Sequence, residues 1–519
     1  MVRLISGINL EEELQRYFHF SSFRKGQKEI IEDVLRGKDV LGILPTGSGK
    51  SICYQLPAIL LEGLTIVVSP LISLMLDQVR QLKANHFKKV VALNSFMNPK
   101  ERQFVYRNLH QYKLLFISPE LLQHNEIMTL LEKQKVSLFV VDEAHCISQW
   151  GHEFRPDYLK LSTIIEKLGN PPTLALSATA TPAVQEDIIS SLKKPEMVKQ
   201  IYPMDKPNIA FCVKKLEHDE EKNQIMIDLL SSYHVPTLIY FSSRKMAEKI
   251  MKLLSDKLEH LRIAFYHAGM EAMDRIAIQQ QFMNGQLDVI CCTSAFGMGI
   301  DKSNIRLIIH YHFPLQIESY IQEVGRAGRD GKSSVSLLLF SKQDISMPNN
   351  IIKNELPDES TLSRVYQYLY TLSLERKDLP QDEVQTENIL QINEIQWRFL
   401  RYQLEKNGII KGNAISPYND KWKGIFQNIL QVITTRVKLK ERKLTEMLRW
   451  IHEEECLREN LYKNFQTTCS ESIFQCCSNC GFKWSDWYPE ETNNSITQEM
   501  SWRKQLKKIL LIGDLDETT

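Results

Sequence analysis

An α/β chain with two tandem parallel-sheet domains, followed by a helical region that ends in a cysteine cluster, is what the sequence predicts. Three observations carry the prediction. Short apolar runs alternate with amphipathic stretches from Asp39 to about Phe340. The alternation stops beyond Phe340, where helical periodicity takes over. Five of the ten cysteines fall between Cys456 and Cys480.

The first set of apolar runs is VLGIL, TIVVSP, LLFISPE, LFVVDEAH and TLALSAT, and the second is TLIYFSS, RIAFYHAG, DVICCTS, IRLIIHYH and SVSLLLF. Strands apolar on both faces, each followed by a turn and a helix, belong to parallel sheets covered by helices. Between the sets, LKKPEMVKQIYPMDKPNIAF carries three prolines and several charges without a helical period, which places a boundary near Tyr202. The expected domains are therefore 1–202 and 203–345.

From Leu356 to Tyr418 the order is helix, the short helix ENILQI, a turn at Asn393, the longer helix EIQWRFLRYQLEKNG and a candidate wing, IIKGNAISPY. That order suits a winged helix at 356–418, and an ordinary helical packing domain has the same periodicity. A helical cysteine-bearing domain follows at 419–487, then a tail at 488–519. Lys421 to Trp450 holds eight Lys or Arg against two Glu, either a solvated helix face or a nucleic-acid stripe.

Composition sets limits. With 519 residues and 43% hydrophobic content the chain has room for three or four domains with cores of their own. No run of eighteen apolar residues is present, so no membrane span is expected, and acidic residues come too early for a secretory signal. A cytoplasmic protein follows, nucleoid-associated in a bacterium, and in that compartment clustered cysteines point to a metal rather than to disulfides. The net charge of +1 identifies no partner.

LPTGSGKS, Leu44 to Ser51, lies between an apolar strand and a helical stretch, the setting in which a glycine loop cradles phosphates. Gly47 and Gly49 let backbone N–H groups turn toward an anion, with Thr46 and Ser48 beside them; Lys50 supplies a point charge, and the Ser51 hydroxyl reaches Mg²⁺. Leu44 replaces the first glycine of the usual pattern. Asp142 is the Mg²⁺ partner of Ser51, and Glu143 is placed to orient or deprotonate an attacking water. His145 either couples this site to a neighbour or is a satisfied loop histidine, and Ser177 to Thr179 offer hydroxyls at a strand end.

LPTGSGKS, DEAHCISQWGHEFRPDY, LSATAT, AFGMGIDK and QEVGRAGRDG stand in the order of a superfamily 2 helicase, and the sequence closely resembles the RecQ DNA helicases from about Phe18 to Phe340. The resemblance implies two RecA-like domains that couple ATP hydrolysis to 3′ to 5′ movement on single-stranded DNA and to duplex unwinding. It implies that Trp150, His152, Phe154 and Arg155 form an aromatic-rich loop that senses single-stranded DNA, since aromatic faces stack on any base. Core packing of Trp150 and Phe154 is the alternative. It also implies that Gln27, Arg24 and Phe20 recognise adenine; Phe20 stands where tyrosine is usual and His19 where glycine is common. Arg329 is the implied arginine finger, Arg326 its neighbour on the phosphates, Gln322 a further contact, and Asp301 lies near the ribose.

Cys456, with CSESIFQCCSNCG downstream, resembles the family's zinc module, in which four thiolates make a closed structural site. Cys456, Cys477 and Cys480 are three ligands; the fourth is Cys476, with Cys469 as the alternative. Since 356–418 precedes the cysteines and only about thirty residues follow Trp487, that segment is expected to stand in for the family's usual winged helix, and the terminal helical domain of many members is not expected. The expectation is a monomeric helicase using ATP, Mg²⁺ and Zn²⁺ on single-stranded and duplex DNA in repair or recombination. An RNA helicase is the nearest rival, and a nucleotide-gated DNA clamp is the rival of a different class.

Overall fold

The computed structural model describes residues 8–70, 72–94, 97–148, 155–297, 302–466 and 468–489. Strands β1 (Val40–Ile43), β2 (Leu64–Val68), β3 (Val90–Leu93), β4 (Leu114–Ile117), β5 (Val136–Val141), β6 (Thr173–Ser177) and β7 (Val198–Ile201) form one sheet in the order β3-β4-β2-β5-β6-β1-β7. Strands β8 (Ile209–Leu216), β9 (Thr237–Tyr240), β10 (Ile263–Tyr266), β11 (Val289–Cys292), β12 (Leu307–His310) and β13 (Ser334–Ser341) form the second, in the order β10-β11-β9-β12-β13-β8. All pairings within both sheets are parallel. Parallel strands return through helices, so the loops at the carboxyl ends of each sheet gather on one side, where ligands of open α/β sheets bind.

Three strands escape the apolar-run pattern. β3 is a four-residue edge strand that follows Lys88 and Lys89, β7 is an edge strand with alternating burial, and β8 is buried only at its first four residues and its last. The two sheets are thus joined by a linker of seven residues, 202–208, rather than by a longer irregular segment.

Beyond the second sheet, helices Glu359–Glu375, Glu383–Leu390 and Glu394–Lys406 precede a hairpin of β14 (Ile410–Lys411) and β15 (Ala414–Ile415). Asp358, Asp382 and Asn393 cap the three helices through their side-chain oxygens, which explains why each begins where it does. A 31-residue helix, Lys421–Ile451, follows. Its first half shares a core with the three helices through Trp422, Ile429 and Ile433. Its second half enters the core of the sheet domains through Leu444, Met447, Trp450 and Ile451. At about 1.5 Å per residue, one rod of roughly 46 Å joins the two cores.

The basic stripe on this helix is only partly a charged surface. Lys443 pairs with Glu318 at 2.9 Å, Lys440 pairs with Glu355, and Arg436 lies over the Phe399 ring. These three cations hold the rod to its neighbours.

The cysteine-bearing segment covers an edge of the second sheet. Phe211 of β8 donates its N–H to the Cys476 carbonyl at 3.1 Å, and Phe211 and Cys477 form a parallel bridge. Its far end is anchored by Trp487, 1% exposed, whose ring lies 4.8 Å from that of Tyr233.

Candidate active site and metal centre

β1 runs straight into the phosphate loop, and helix Ile52–Leu60 starts directly after Ser51. Gly47 (φ 83°) and Gly49 (φ 73°) both occupy the left-handed region that an L side chain resists. β5 ends at Val141, so Asp142 and Glu143 emerge beside the loop. Glu143 itself is held at φ 47°, rare for a non-glycine residue, and its N–H donates to Asp142 Oδ1 at 3.0 Å. The strained turn aims both carboxylates into one cleft.

That cleft, of about 150 Å³, is lined from the first domain by Thr46, Gly47, Gly49, Lys50, Ser51, Asp142 and Glu143, and from the second by Gln322, Arg326 and Arg329. A Cβ on Gly47 would come within 2.8 Å of Arg329 Cγ, and one on Gly325 within 2.9 Å of Thr46 Cβ. Two glycines on opposite domains therefore permit the approach. Lys50 Nζ stands 3.7 Å from Glu143 Oε1. Arg326 donates to the Gly297 carbonyl and is 4% exposed.

Burial and the charge of Glu143 push the Asp142 carboxyl up to about 7, with Lys50 drawing it back. A buried carboxylate of this kind gains most from a cation at its side, and the neighbouring Ser51 hydroxyl makes the pair suited to Mg²⁺. Buried polar atoms without partners among the described residues include Ser48 Oγ, Thr179 Oγ1 and Arg326 Nε, from the phosphate loop, a strand end and the second domain. This donor set fits a phosphate chain. His145 is fully buried and held down to about 3, chiefly by burial and then by the charge of Lys50, so it is neutral. Its Nδ1 lies 2.9 Å from Ser177 Oγ, a hydrogen bond to the end of β6, and 3.4 Å from Glu143 Oε2, so the neutral ring sits between that strand end and the acidic pair.

Gln27 and Arg24 lie on the phosphate loop. Gln27 Nε2 donates to the Ser48 and Gly49 carbonyls at 2.8 and 3.0 Å, its Oε1 accepts the Arg24 N–H at 2.9 Å, and Arg24 donates to the Gly47 carbonyl at 2.5 Å. Both amide hydrogens of Gln27 are thus committed to the loop, and a base would meet only its remaining oxygen lone pair. Phe20 is 52% exposed, with a face open for stacking. His19 closes helix Leu10–Phe18 at φ 60°, which explains why glycine is common there.

Trp150, His152, Phe154 and Asp301 lie outside the described residues. The feet of the aromatic-rich loop are described: the Arg155 N–H donates to the Cys146 carbonyl at 3.0 Å, and the Tyr158 hydroxyl donates to the Asp142 carbonyl at 3.2 Å. Arg155 itself reaches toward Glu120 at 3.8 Å. Gln78, Gln81 and Tyr54 also line the cleft, and no spacing in the sequence signals them.

The sulfurs of Cys456, Cys476, Cys477 and Cys480 all lie within 4.8 Å of one another, with Cys456 and Cys476 at 3.6 Å. Thiolates about 2.3 Å from one tetrahedral ion stand about 3.8 Å apart, so the set suits Zn²⁺. Cys469 is elsewhere, near Gln466 and the Arg458 carbonyl. Burial opposes ionisation of Cys477, but the N–H groups of Leu457, Cys480 and Asn479, together with the Cys480 thiol, outweigh it and hold this thiol low. Asn479 donates to the Glu453 and Glu455 carbonyls, both at 2.8 Å, fixing the loop to the residues before Cys456.

Residues 24–188 match the DEAD/DEAH box helicase family and 221–331 the helicase conserved C-terminal domain. A probable ATP-dependent DNA helicase RecS of Bacillus subtilis is 40% identical over 510 residues, 98% of this chain and 99% of that protein. The ATP-dependent DNA helicase RecQ of Haemophilus influenzae is 39% identical over 383 residues, 73% of this chain and 58% of that longer protein. In fold, the chain is similar to the Mycobacterium smegmatis helicase Lhr bound to single-stranded DNA and AMP-PNP (TM-score 0.55, 19% identity, 76% of this chain and 56% of that one). It is also similar to the DEAD-box helicase Mss116 bound to single-stranded RNA and UDP-BeF (TM-score 0.54, 18% identity, 84% of this chain and 90% of that one).

Proposed function

The chain belongs to the RecQ family of superfamily 2 helicases and is an ATP-dependent DNA helicase, and we propose that it moves 3′ to 5′ along single-stranded DNA as the cleft between its sheets closes and reopens. The observation that carries this reading is the single cleft shared by Lys50, Asp142 and Glu143 of one domain with Gln322, Arg326 and Arg329 of the other. A site split across two bodies is complete only when they meet, so nucleotide state and domain separation become one variable.

Lys50 and the loop N–H groups hold the phosphates, and Ser51 with Asp142 would hold Mg²⁺, which when bound neutralises charge on the outer phosphates. Glu143 orients the attacking water and accepts its proton. Arg329 and Arg326 meet the charge that develops at the γ-phosphate. The hydrogen bond from Tyr158 to the Asp142 carbonyl and the pinned foot at Arg155 support a short path from this site to Trp150, His152 and Phe154, which stack on bases of the strand. Asp301 lies near the ribose, and Gln27 with Phe20 recognises the base.

The four cysteines hold Zn²⁺ as a structural ion. The helices and hairpin of 356–418 form the winged helix that grips duplex DNA, with Ile395 and Arg398 exposed on the helix Glu394–Lys406. The protein acts as a monomer in the cytoplasm or nucleoid, in repair or recombination. Strand displacement with ATP on tailed duplexes of DNA and RNA in both polarities tests the reading. Unwinding of DNA from a 3′ tail is expected; unwinding only from a 5′ tail, or only of RNA, contradicts it.

A further inference from the structure

The segment carrying Arg326 and Arg329 follows the carboxyl end of helix Ile317–Val324, where backbone carbonyls lose their helical donors. The carbonyls just past the helix are taken up by the inter-sheet linker. Lys206 Nζ donates to the Gly325 and Ala327 carbonyls at 2.6 and 3.2 Å, one on each side of Arg326. Asn208 Nδ2 donates to the Gly328 and Lys332 carbonyls at 2.9 and 2.7 Å, bracketing Arg329. Two side chains of one short linker thus fix the backbone on both sides of both arginines.

The linker is held in turn by the cysteine-bearing region. Arg458, 2% exposed, donates to Asp205 Oδ1 at 2.5 Å, to the Lys206 carbonyl at 2.9 Å and to the Ile209 carbonyl, and its guanidinium lies over the Phe211 ring at 5.1 Å. The N–H of that same Phe211 donates to the Cys476 carbonyl at 3.1 Å. Asp205 Oδ2 accepts the Ser470 N–H at 3.0 Å, and the Met204 N–H donates to Gln466 Oε1 at 2.8 Å. A buried Arg–Asp pair is tolerated when its remaining hydrogen-bonding positions are filled, and a pair so saturated has one geometry.

We propose that Lys206 is a positioning residue for Arg326 and Arg329, and that the cysteine cluster sets this position through Cys476, Phe211, Arg458, Asp205 and the Lys206 backbone. The proposal rests on the reading that the two arginines serve the γ-phosphate. The Lys206 ammonium is enclosed although its stem is partly exposed; burial and the guanidinium charges of Arg329, Arg24 and Arg326 push it down to about 7, against the pull of Asp330. It faces the cleft's cations at close range, as a brace there must. A cationic side chain with several donors suits the place, since two converging carbonyls must be satisfied at once.

The test uses the full chain with its metal, comparing Lys206→Met, Lys206→Gln, Lys206→Arg and Asp205→Asn with the parent. DNA-stimulated ATPase kcat and KM for ATP are measured, with melting temperatures as a control. Expected is a kcat loss on the order of tenfold in Lys206→Met and Lys206→Gln with KM little changed, because misplaced arginines weaken the transition state more than binding. Lys206→Arg recovers most of the rate. Asp205→Asn lowers kcat in the parent but adds little to Lys206→Met, since both act along one line. A kcat within twofold of the parent in both neutral variants, or a loss confined to KM, overturns the brace; fully additive losses overturn the link to the cysteines. Arg326→Gln and Arg329→Gln separate the premises. If these keep full kcat the arginine reading fails and the proposal with it; if they lose kcat while Lys206→Met does not, only the brace fails.

Discussion

Arg329 lies against the backbone of Gly47, filling the space that a side chain on the phosphate loop would need: a Cβ there would stand 2.8 Å from Arg329 Cγ and 3.0 Å from its Cδ. Gly47→Ala therefore meets two obstacles, the occupied space and a backbone φ of 83°. The conformational strain alone costs about 1 kcal/mol. ATP hydrolysis should fall by at least about tenfold, because the arginine is displaced from the loop it must meet. Steady-state ATPase rates with saturating DNA check this, and an unchanged rate would show that the two residues part during turnover.

Glu143→Gln keeps the size of the side chain and removes its basicity. Nucleotide binding, followed by fluorescent-analogue titration, should remain within a few-fold of the parent while turnover drops by roughly a hundredfold or more. Lys50→Ala should abolish hydrolysis and weaken binding together. If Glu143→Gln hydrolyses ATP at the parent's rate, the proton goes elsewhere.

Trp150→Ala should leave the DNA-independent ATPase rate near the parent's and lose most of the stimulation by single-stranded DNA, with about 1 to 3 kcal/mol of base stacking removed. Equal stimulation in variant and parent would assign the loop a packing role instead.

Purified protein should carry about one zinc per chain. Cys476→Ser should bring the metal content close to zero, and Cys469→Ser should leave it, since only the former sulfur sits within the cluster. The reverse pattern would make Cys469 the ligand.

Two buried histidines give the fold an acid limit. His145 is held down to about 3, and burial holds His312 down to about 4, helped by the charge of Lys222. His312 Nδ1 accepts the Ser242 N–H at 3.2 Å, a bond that protonation there would break. In the unfolded chain both take up protons near pH 6.5, in the folded chain only near those lower values, so the unfolded state binds more protons in between. Stability is complete above about pH 6.5 and falls as the pH drops toward 4 and 3, by on the order of 2 kcal/mol per histidine at pH 5. Urea midpoints at pH 7.5 and 5 check this, and His312→Asn, which retains an acceptor, should show a smaller loss. Equal midpoints in the parent at both pH values would contradict it.

Much of this architecture was legible because parallel strands buried on both faces must be apolar throughout, and ten of them stand out as such. β3, β7 and β8 did not, since β3 is an apolar run of only four residues and the edge strands β7 and β8 carry lysines like the loops beside them. In the site, Gly47, Lys50 and Asp142 were readable from backbone geometry and charge, and Arg329 through the family resemblance; all four line one cleft. Contacts that depend on where the chain returns were not. Gln78 and Gln81 line the cleft from a helix with no distinguishing pattern, and Lys206 appeared only as a charge in an irregular linker. The basic stripe stayed open between a solvated face and a nucleic-acid stripe for the same reason, since a sequence shows charge but not that Lys443 is paired with Glu318.

The central claim is that strand binding and the nucleotide cleft are one mechanism. The ATP hydrolysis rate with and without saturating single-stranded DNA measures this directly. Acceleration by about tenfold or more is expected, and hydrolysis at the same pace in both conditions would contradict it.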